Sequence, residues 1–297
     1  MRLVSYERDG AWRCGIETGE TVVDAAEAAR RMGLASDGDA DALHSTRALL
    51  ALGSDAVRSL CDEVGAAENG AGLARENLRL GPPVWDPPKI VCLGLNYRDH
   101  AEEAGLQPPS APMFFAKWAN SLIGPEDSIV PPPTARQVDY EAELAVVIGT
   151  RGRDIAAEQA SEYIAGAMAF NDVSARDLQL ANPLWTGGKA IDTFAPCGPA
   201  LVTADAFGDI QSLAVRTRVN GTTVQDGTTA AMVFSVAETI AYLSRIMTLE
   251  VGDIIATGTP AGVGNSRDPK LFLQPGDLVE VEVEGIGTLR NPVAPRR

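Results

Sequence analysis

Alternation of apolar and polar positions opens the chain. Arg2–Glu7 and Trp12–Glu17 each read as a short strand, and Asp9-Gly10 between them is a hairpin-turn dipeptide. The period then lengthens: Ala- and Leu-rich helical patterns cover 23–32, 41–52 and 55–67. Gly81, Pro82-Pro83 and Asp86-Pro87-Pro88 keep the following segment extended, so it reads as a connector. Beyond it short strand patterns dominate, at Ile90–Leu93, Glu141–Ile148, Ala165–Asn171, Ala200–Thr203, Val215–Val219, Ile254–Ala256 and Val279–Val283. Helical spacing returns at 157–164 and at 235–247, where Val236, Ile240, Leu243 and Met247 form a stripe. Turn signals such as Asn220-Gly221 and Pro275-Gly276-Asp277 punctuate this part. Many short strands with tight turns predict a mainly β (α+β) fold with a closed or folded-over mixed sheet. The change of texture predicts a small α+β domain at 1–80 and a β-rich domain at 81–297.

Composition narrows the partners. The chain has 297 residues, 45% of them hydrophobic, and no apolar run approaches the length of a membrane span. Its start lacks the apolar core of a signal peptide. With 40 Asp and Glu against 25 Lys and Arg, the net charge of −15 argues against nucleic acid or an anionic membrane as partner. Cys14, Cys61, Cys92 and Cys197 are scattered without a C-x-x-C pair, which argues against thiolate zinc and fits packing residues in a reducing cytoplasm.

The chemistry concentrates in five places. In Asp139-Tyr140-Glu141-Ala142-Glu143, residues two apart in a strand share a face, so Glu141 and Glu143 point together about 7 Å apart at Cα. A hard divalent cation between them would relieve their repulsion; an exposed acidic strand face is the alternative. There are only two histidines. His44 falls in the 41–52 helical pattern and reads as structural or solvated. His100 follows the strand Ile90–Leu93, and a helix over 98–104 would set it one turn from Glu103, a carboxylate able to orient the imidazole as a base. The alternative is an exposed polar helix end. Asp172 ends the strand Ala165–Asn171, where it could complete a three-carboxylate site or cap a helical turn starting at Val173-Ser174. Lys189 in Gly187-Gly188-Lys189 could face an anionic substrate or sit in a flexible loop. Thr257–Gly264 is a glycine-rich loop after a strand, suited to binding a carboxylate or phosphate, or simply a turn.

Taken in order, N-Y-x-x-H-x-x-E, D-Y-E-x-E-L, F-N-D-V-S-A-R-D, G-K and T-G-T-P-x-G-V-G resemble the fumarylacetoacetate hydrolase superfamily over about residues 88–293. The segment 1–80 looks like the variable N-terminal domain of its longer bacterial members. The resemblance implies a mixed β-sandwich roll, usually a homodimer, around Mg²⁺ or Mn²⁺ held by Glu141, Glu143 and Asp172. By the same resemblance His100 and Glu103 activate water on a lid-like segment, Lys189 lies beside the metal and Thr259 contacts the substrate carboxylate. Lys117 matches a family lysine of that region, and Gln179 corresponds to a substrate contact. The implied substrate is a small 2-keto or 2,4-diketo acid of the acylpyruvate type, hydrolysed at a C–C bond. Decarboxylation of an oxaloacetate-like acid and isomerisation of a 2-hydroxy-dienoate use the same chemistry, and a non-catalytic binding role is the remaining alternative.

Overall fold

The computed structural model describes residues 1–34, 43–66 and 72–296. Its N-terminal part contains β1 (Arg2–Arg8), β2 (Ala11–Thr18) and β3 (Thr21–Asp24), an antiparallel meander, followed by α1 (Ala25–Arg31), α2 (Thr46–Leu50) and α3 (Ser54–Ala66). Asp9 and Gly10 both take positive φ, 53° and 75°, as a two-residue hairpin turn demands. After the connector come β4 (Ile90–Gly94), α4 (Arg98–Glu103), β5 (Met113–Lys117), β6 (Ala142–Ile148) and β7 (Ile164–Asn171). Then follow α5 (Arg176–Gln179), α6 (Thr186–Lys189), β8 (Ala195–Thr203), β9 (Ala214–Val219) and β10 (Thr222–Thr228). The chain ends with α7 (Val236–Ile246), β11 (Ile254–Ala256), β12 (Leu278–Val283) and β13 (Gly287–Pro292).

The main sheet runs β3-β2-β1-β8-β7-β6-β11-β4-β5, with Leu73–Ala74 outside β3. Its neighbours are antiparallel except β11 and β4, which are parallel, so the sheet is mixed as predicted. A second sheet, β10-β9-β12-β13, covers one face together with α7. The pleat of β6 explains the layering: Ala142, Leu144, Val146 and Ile148 join α7 and β12 in one core, and Ala145 and Val147 join Met168, Phe170, Leu3 and Leu60 in the other. The N-terminal segment thus adds strands to one end of the main sheet, Arg2 lying opposite Val202, and shares its core.

Three elements differ from their predicted form. Residues 21–24 pair with β2, so the helix expected from 23 starts at Ala25, where the Asp24 carboxylate accepts Glu27 N–H at 3.0 Å. The helix expected over 41–52 is Thr46–Leu50; Ser45 caps it, accepting from Ala48 N–H at 3.1 Å, and 41–42 lie outside the described residues. His44 therefore precedes the cap, exposed, with its ring 6.1 Å from that of Trp85. The segment 157–164 is a 3₁₀ helix over Ala157–Tyr163.

Candidate active site

The ends of two paired strands assemble the acidic centre. Glu141 directly precedes β6 and Glu143 lies at its start, and Asp172 directly follows β7, its neighbour. The Asn171 side chain accepts Glu141 N–H at 3.1 Å and the Asp172 N–H reaches the Glu141 carbonyl at 2.9 Å, which fixes the three residues together. One carboxylate oxygen from each lies within 4.8 Å of the others, and all three residues are buried. Val173-Ser174 does not begin the helical turn allowed for it: Ser174–Ala175 pairs with Val138–Asp139, and α5 begins at Arg176.

Cations offset part of this charge. Lys189 Nζ lies 2.7 Å from Glu141 Oε2 and 2.8 Å from Asp172 Oδ2; Lys117 donates to the other Asp172 oxygen and to the Val173 carbonyl. Burial pushes Glu141 up, but Lys189 and Arg176 outweigh it and hold the carboxyl well below the usual range. Glu143 goes the other way: burial, then Asp172 and Glu141, raise it well above the ordinary value. Its Oε2 accepts Gly258 N–H at 2.8 Å, while its Oε1 is buried without a hydrogen-bond partner among the described residues. An orphaned buried oxygen amid three converging carboxylates fits a hard divalent cation, for which an all-oxygen donor set is suited.

His100 faces the same cavity. Its Nδ1 lies 2.8 Å from Glu103 Oε1, and Glu103 Oε2 accepts Gly262 N–H at 2.9 Å, tying α4 to the glycine-rich loop. Asn96 completes that tie, donating to the Thr257 carbonyl at 2.8 Å and accepting Phe234 N–H at 2.9 Å. The cavity, about 130 Å³, is lined by His100, Glu141, Gln179, Lys189 and Thr259 among polar residues, and by apolar groups including Phe115 and Trp185. Phe115 underlies Lys189, whose Nζ is 5.1 Å from the ring centre, and meets Trp185 edge-on at 5.8 Å. Glu103, Glu143, Asp172 and Lys117 lie outside the lining, Glu103 one contact away through His100 and Asp172 one contact away through Lys189. A second cavity, of about 100 Å³ beside α3, contains neither the carboxylate cluster nor a histidine.

All nine residues singled out from the sequence therefore gather around one cavity and its acidic floor. Arg176 was not singled out, although it lines the cavity. Its Nε donates to Asp139 at 2.8 Å and its Nη1 to Gln179 at 3.0 Å, while its Nη2 lies 2.7 Å from Glu141 Oε1. The only local signal was a charged residue opening a helix four positions beyond Asp172; its burial depends on partners remote in sequence.

Fold and site together define a class, an enzyme on a mixed β-roll with an acidic, metal-compatible centre. Residues 89–294 match the family model described as fumarylacetoacetate (FAA) hydrolase C-terminal, and the chain belongs to this family. Its relatives include the mitochondrial oxaloacetate tautomerase Fahd2a of Rattus norvegicus, 46% identical over 222 residues, which are 74% of this chain and 71% of the relative. Among solved structures, the maleylpyruvate hydrolase of Sphingobium sp. SYK-6, in complex with manganese(II) ion and pyruvate, is 30% identical with a TM-score of 0.79 over all of both chains. The 5-carboxymethyl-2-hydroxymuconate delta-isomerase of Mycobacterium smegmatis is 32% identical, with a TM-score of 0.75 over all of both chains. Among the described residues no helix is long and apolar enough to cross a membrane, and all four cysteines are free.

Proposed function

We propose that this protein is a divalent-metal-dependent enzyme that hydrolyses a C–C bond of a small 2,4-diketo acid, releasing pyruvate or a related 2-keto acid and a second acid. The observation that carries the reading is that His100, backed by Glu103, opens onto the cavity that Glu141 and Lys189 also line. Glu141, Glu143 and Asp172 would hold Mg²⁺ or Mn²⁺, which when bound supplies Lewis-acid stabilisation of enolate charge. Glu103 accepts the Nδ1 proton of His100, which leaves Nε2 free to take a proton from water attacking the distal carbonyl. The Lys189 ammonium adds positive charge where the enolate oxygen develops. Thr259 and Gln179, which line the cavity, would serve as partners for the substrate carboxylate, with the Phe115 and Trp185 rings of the lining restricting water.

The 46% identity with an oxaloacetate tautomerase favours a second reading, keto–enol interconversion of oxaloacetate. There His100 would move a carbon-bound proton instead of one from water. Product analysis by mass spectrometry, with ultraviolet absorbance followed in parallel, distinguishes the two. Metal-stripped protein is incubated with acetylpyruvate or oxaloacetate, with and without Mn²⁺. Hydrolysis predicts metal-dependent pyruvate plus acetate from acetylpyruvate. Intact acetylpyruvate, with accelerated loss of the oxaloacetate enol absorbance, would replace it with the tautomerase.

A further inference from the structure

We propose that Asp139, which lies outside the cavity lining and the acidic cluster, is a positioning residue that keeps Glu141 available to a metal ion by limiting Arg176 to a single, poorly aligned contact with it. This rests on the reading of Glu141, Glu143 and Asp172 as metal ligands. Asp139 is fully buried two residues before Glu141, and its carboxylate collects four donors. Oδ1 accepts Tyr140 N–H at 2.9 Å and Gly264 N–H at 2.7 Å. Oδ2 accepts Asn265 N–H at 3.0 Å and Arg176 Nε–H at 2.8 Å. Such saturation fixes the carboxylate from three sides, its own strand, the glycine-rich loop and α5.

The consequence falls on the guanidinium. Arginine and a carboxylate prefer two parallel N–H···O bonds, and Arg176 has two acidic neighbours competing for it. With Nε committed to Asp139, only Nη2 reaches Glu141. It lies 2.7 Å from Oε1 but without the alignment of a hydrogen bond, and Oε2 stays turned towards Lys189. Removal of the Asp139 charge leaves Glu141 as the only anion beside the guanidinium. Arg176 can then take both of its oxygens in the paired geometry, and a ligand is lost to the metal. Gly264 records the same constraint from the loop side. A Cβ there would stand 2.6 Å from Asp139 Oδ1 and 1.8 Å from the Leu271 carbonyl oxygen, so the last glycine of T-G-T-P-x-G-V-G is what lets the loop approach Asp139.

The test is calorimetric titration of metal-stripped, full-length protein with MnCl₂, with thermal midpoints recorded in parallel. Four proteins are compared: the parent, Asp139→Asn, Arg176→Met and the double variant. Asp139→Asn is expected to weaken Mn²⁺ binding about tenfold or more, the range in which partners of metal ligands act. In the Arg176→Met background the same substitution should change the Mn²⁺ affinity by less than about threefold, because no guanidinium remains to seize Glu141. A purely structural role would lower the midpoint and weaken Mn²⁺ by the same factor in both backgrounds, which overturns the proposal. If Asp139→Asn alone does not fold, Arg176→Met against the double variant decides: equal affinities uphold it and unequal ones overturn it. A parent protein that binds no Mn²⁺ overturns the metal site itself, an outcome distinct from failure of Asp139 alone.

Discussion

Glu143 is the residue on which the electrostatics of the site turn. Lys189 and Lys117 reach Glu141 and Asp172, but neither pairs with Glu143, whose free oxygen is buried. Without a metal a neutral group serves there as well as a carboxyl, so Glu143→Gln should leave the metal-free thermal midpoint unchanged or slightly higher. The same variant should lose Mn²⁺ affinity by about a hundredfold or more, beyond what changes around a metal ligand usually cost. Calorimetry and thermal unfolding on one preparation check both halves. His100→Asn is predicted to behave oppositely, with Mn²⁺ affinity retained and the single-turnover rate reduced by about 10²–10⁴, the range for loss of a general base. At this scale much was legible in the sequence: the two-residue spacing of Glu141 and Glu143 and the i,i+3 spacing of His100 and Glu103 are periodicities of a strand and a helix. Arg176 and Asp139 were not legible as a pair. Their contact spans 37 positions and exists only once Ser174–Ala175 pairs with Val138–Asp139.

Among elements, α7 was the most legible, since Val236, Ile240, Leu243 and Met247 form a stripe of apolar residues that follows a serine. Ser235 and Glu238 form a capping box, each side chain satisfying the other's backbone N–H. Ser235→Ala should cost about 1 kcal/mol of stability, read as a lower midpoint in urea with an unchanged slope. The 41–52 segment was legible only as helix-forming composition, because the boundary is set by a serine cap and not by the Ala and Leu content. The cysteines allow an element-scale prediction about pH. Burial pushes Cys14 on β2 up to about 12 and Cys61 on α3 up to about 11, from an ordinary value near 9. The folded state keeps these protons longer than the unfolded chain. Their contribution to stability is therefore complete below about pH 9 and is lost as pH rises through 11 to 12. Native protein at pH 8 should resist iodoacetamide until denaturant is added, and urea stability should fall between pH 8 and pH 11.

For the molecule as a whole, the mixed roll was readable as a class, from many short strands with tight turns. The strand order was not, because β11 pairs parallel with β4 although β5 to β10 all intervene along the chain, a choice no local pattern encodes. Nor does local pattern reveal that the N-terminal segment finishes the main core: Leu3, Ile16 and Leu60 pack with Ala145, Val147 and Phe170. Deletion of residues 1–80 would uncover the β1 edge of β8 and this apolar face, and the truncated protein should fail to unfold as a single cooperative transition by circular dichroism. On the proposed function, the acidic cluster and the His100–Glu103 pair act together on a 2-keto acid through its enolate. The most direct measurement is proton NMR of pyruvate in D₂O with the metal-stripped protein, before and after addition of Mg²⁺. Mg²⁺-dependent exchange of the methyl protons is expected, abolished by Glu141→Gln and strongly slowed by His100→Asn. Exchange no faster than in buffer, or unaffected by either substitution, would overturn the proposed function.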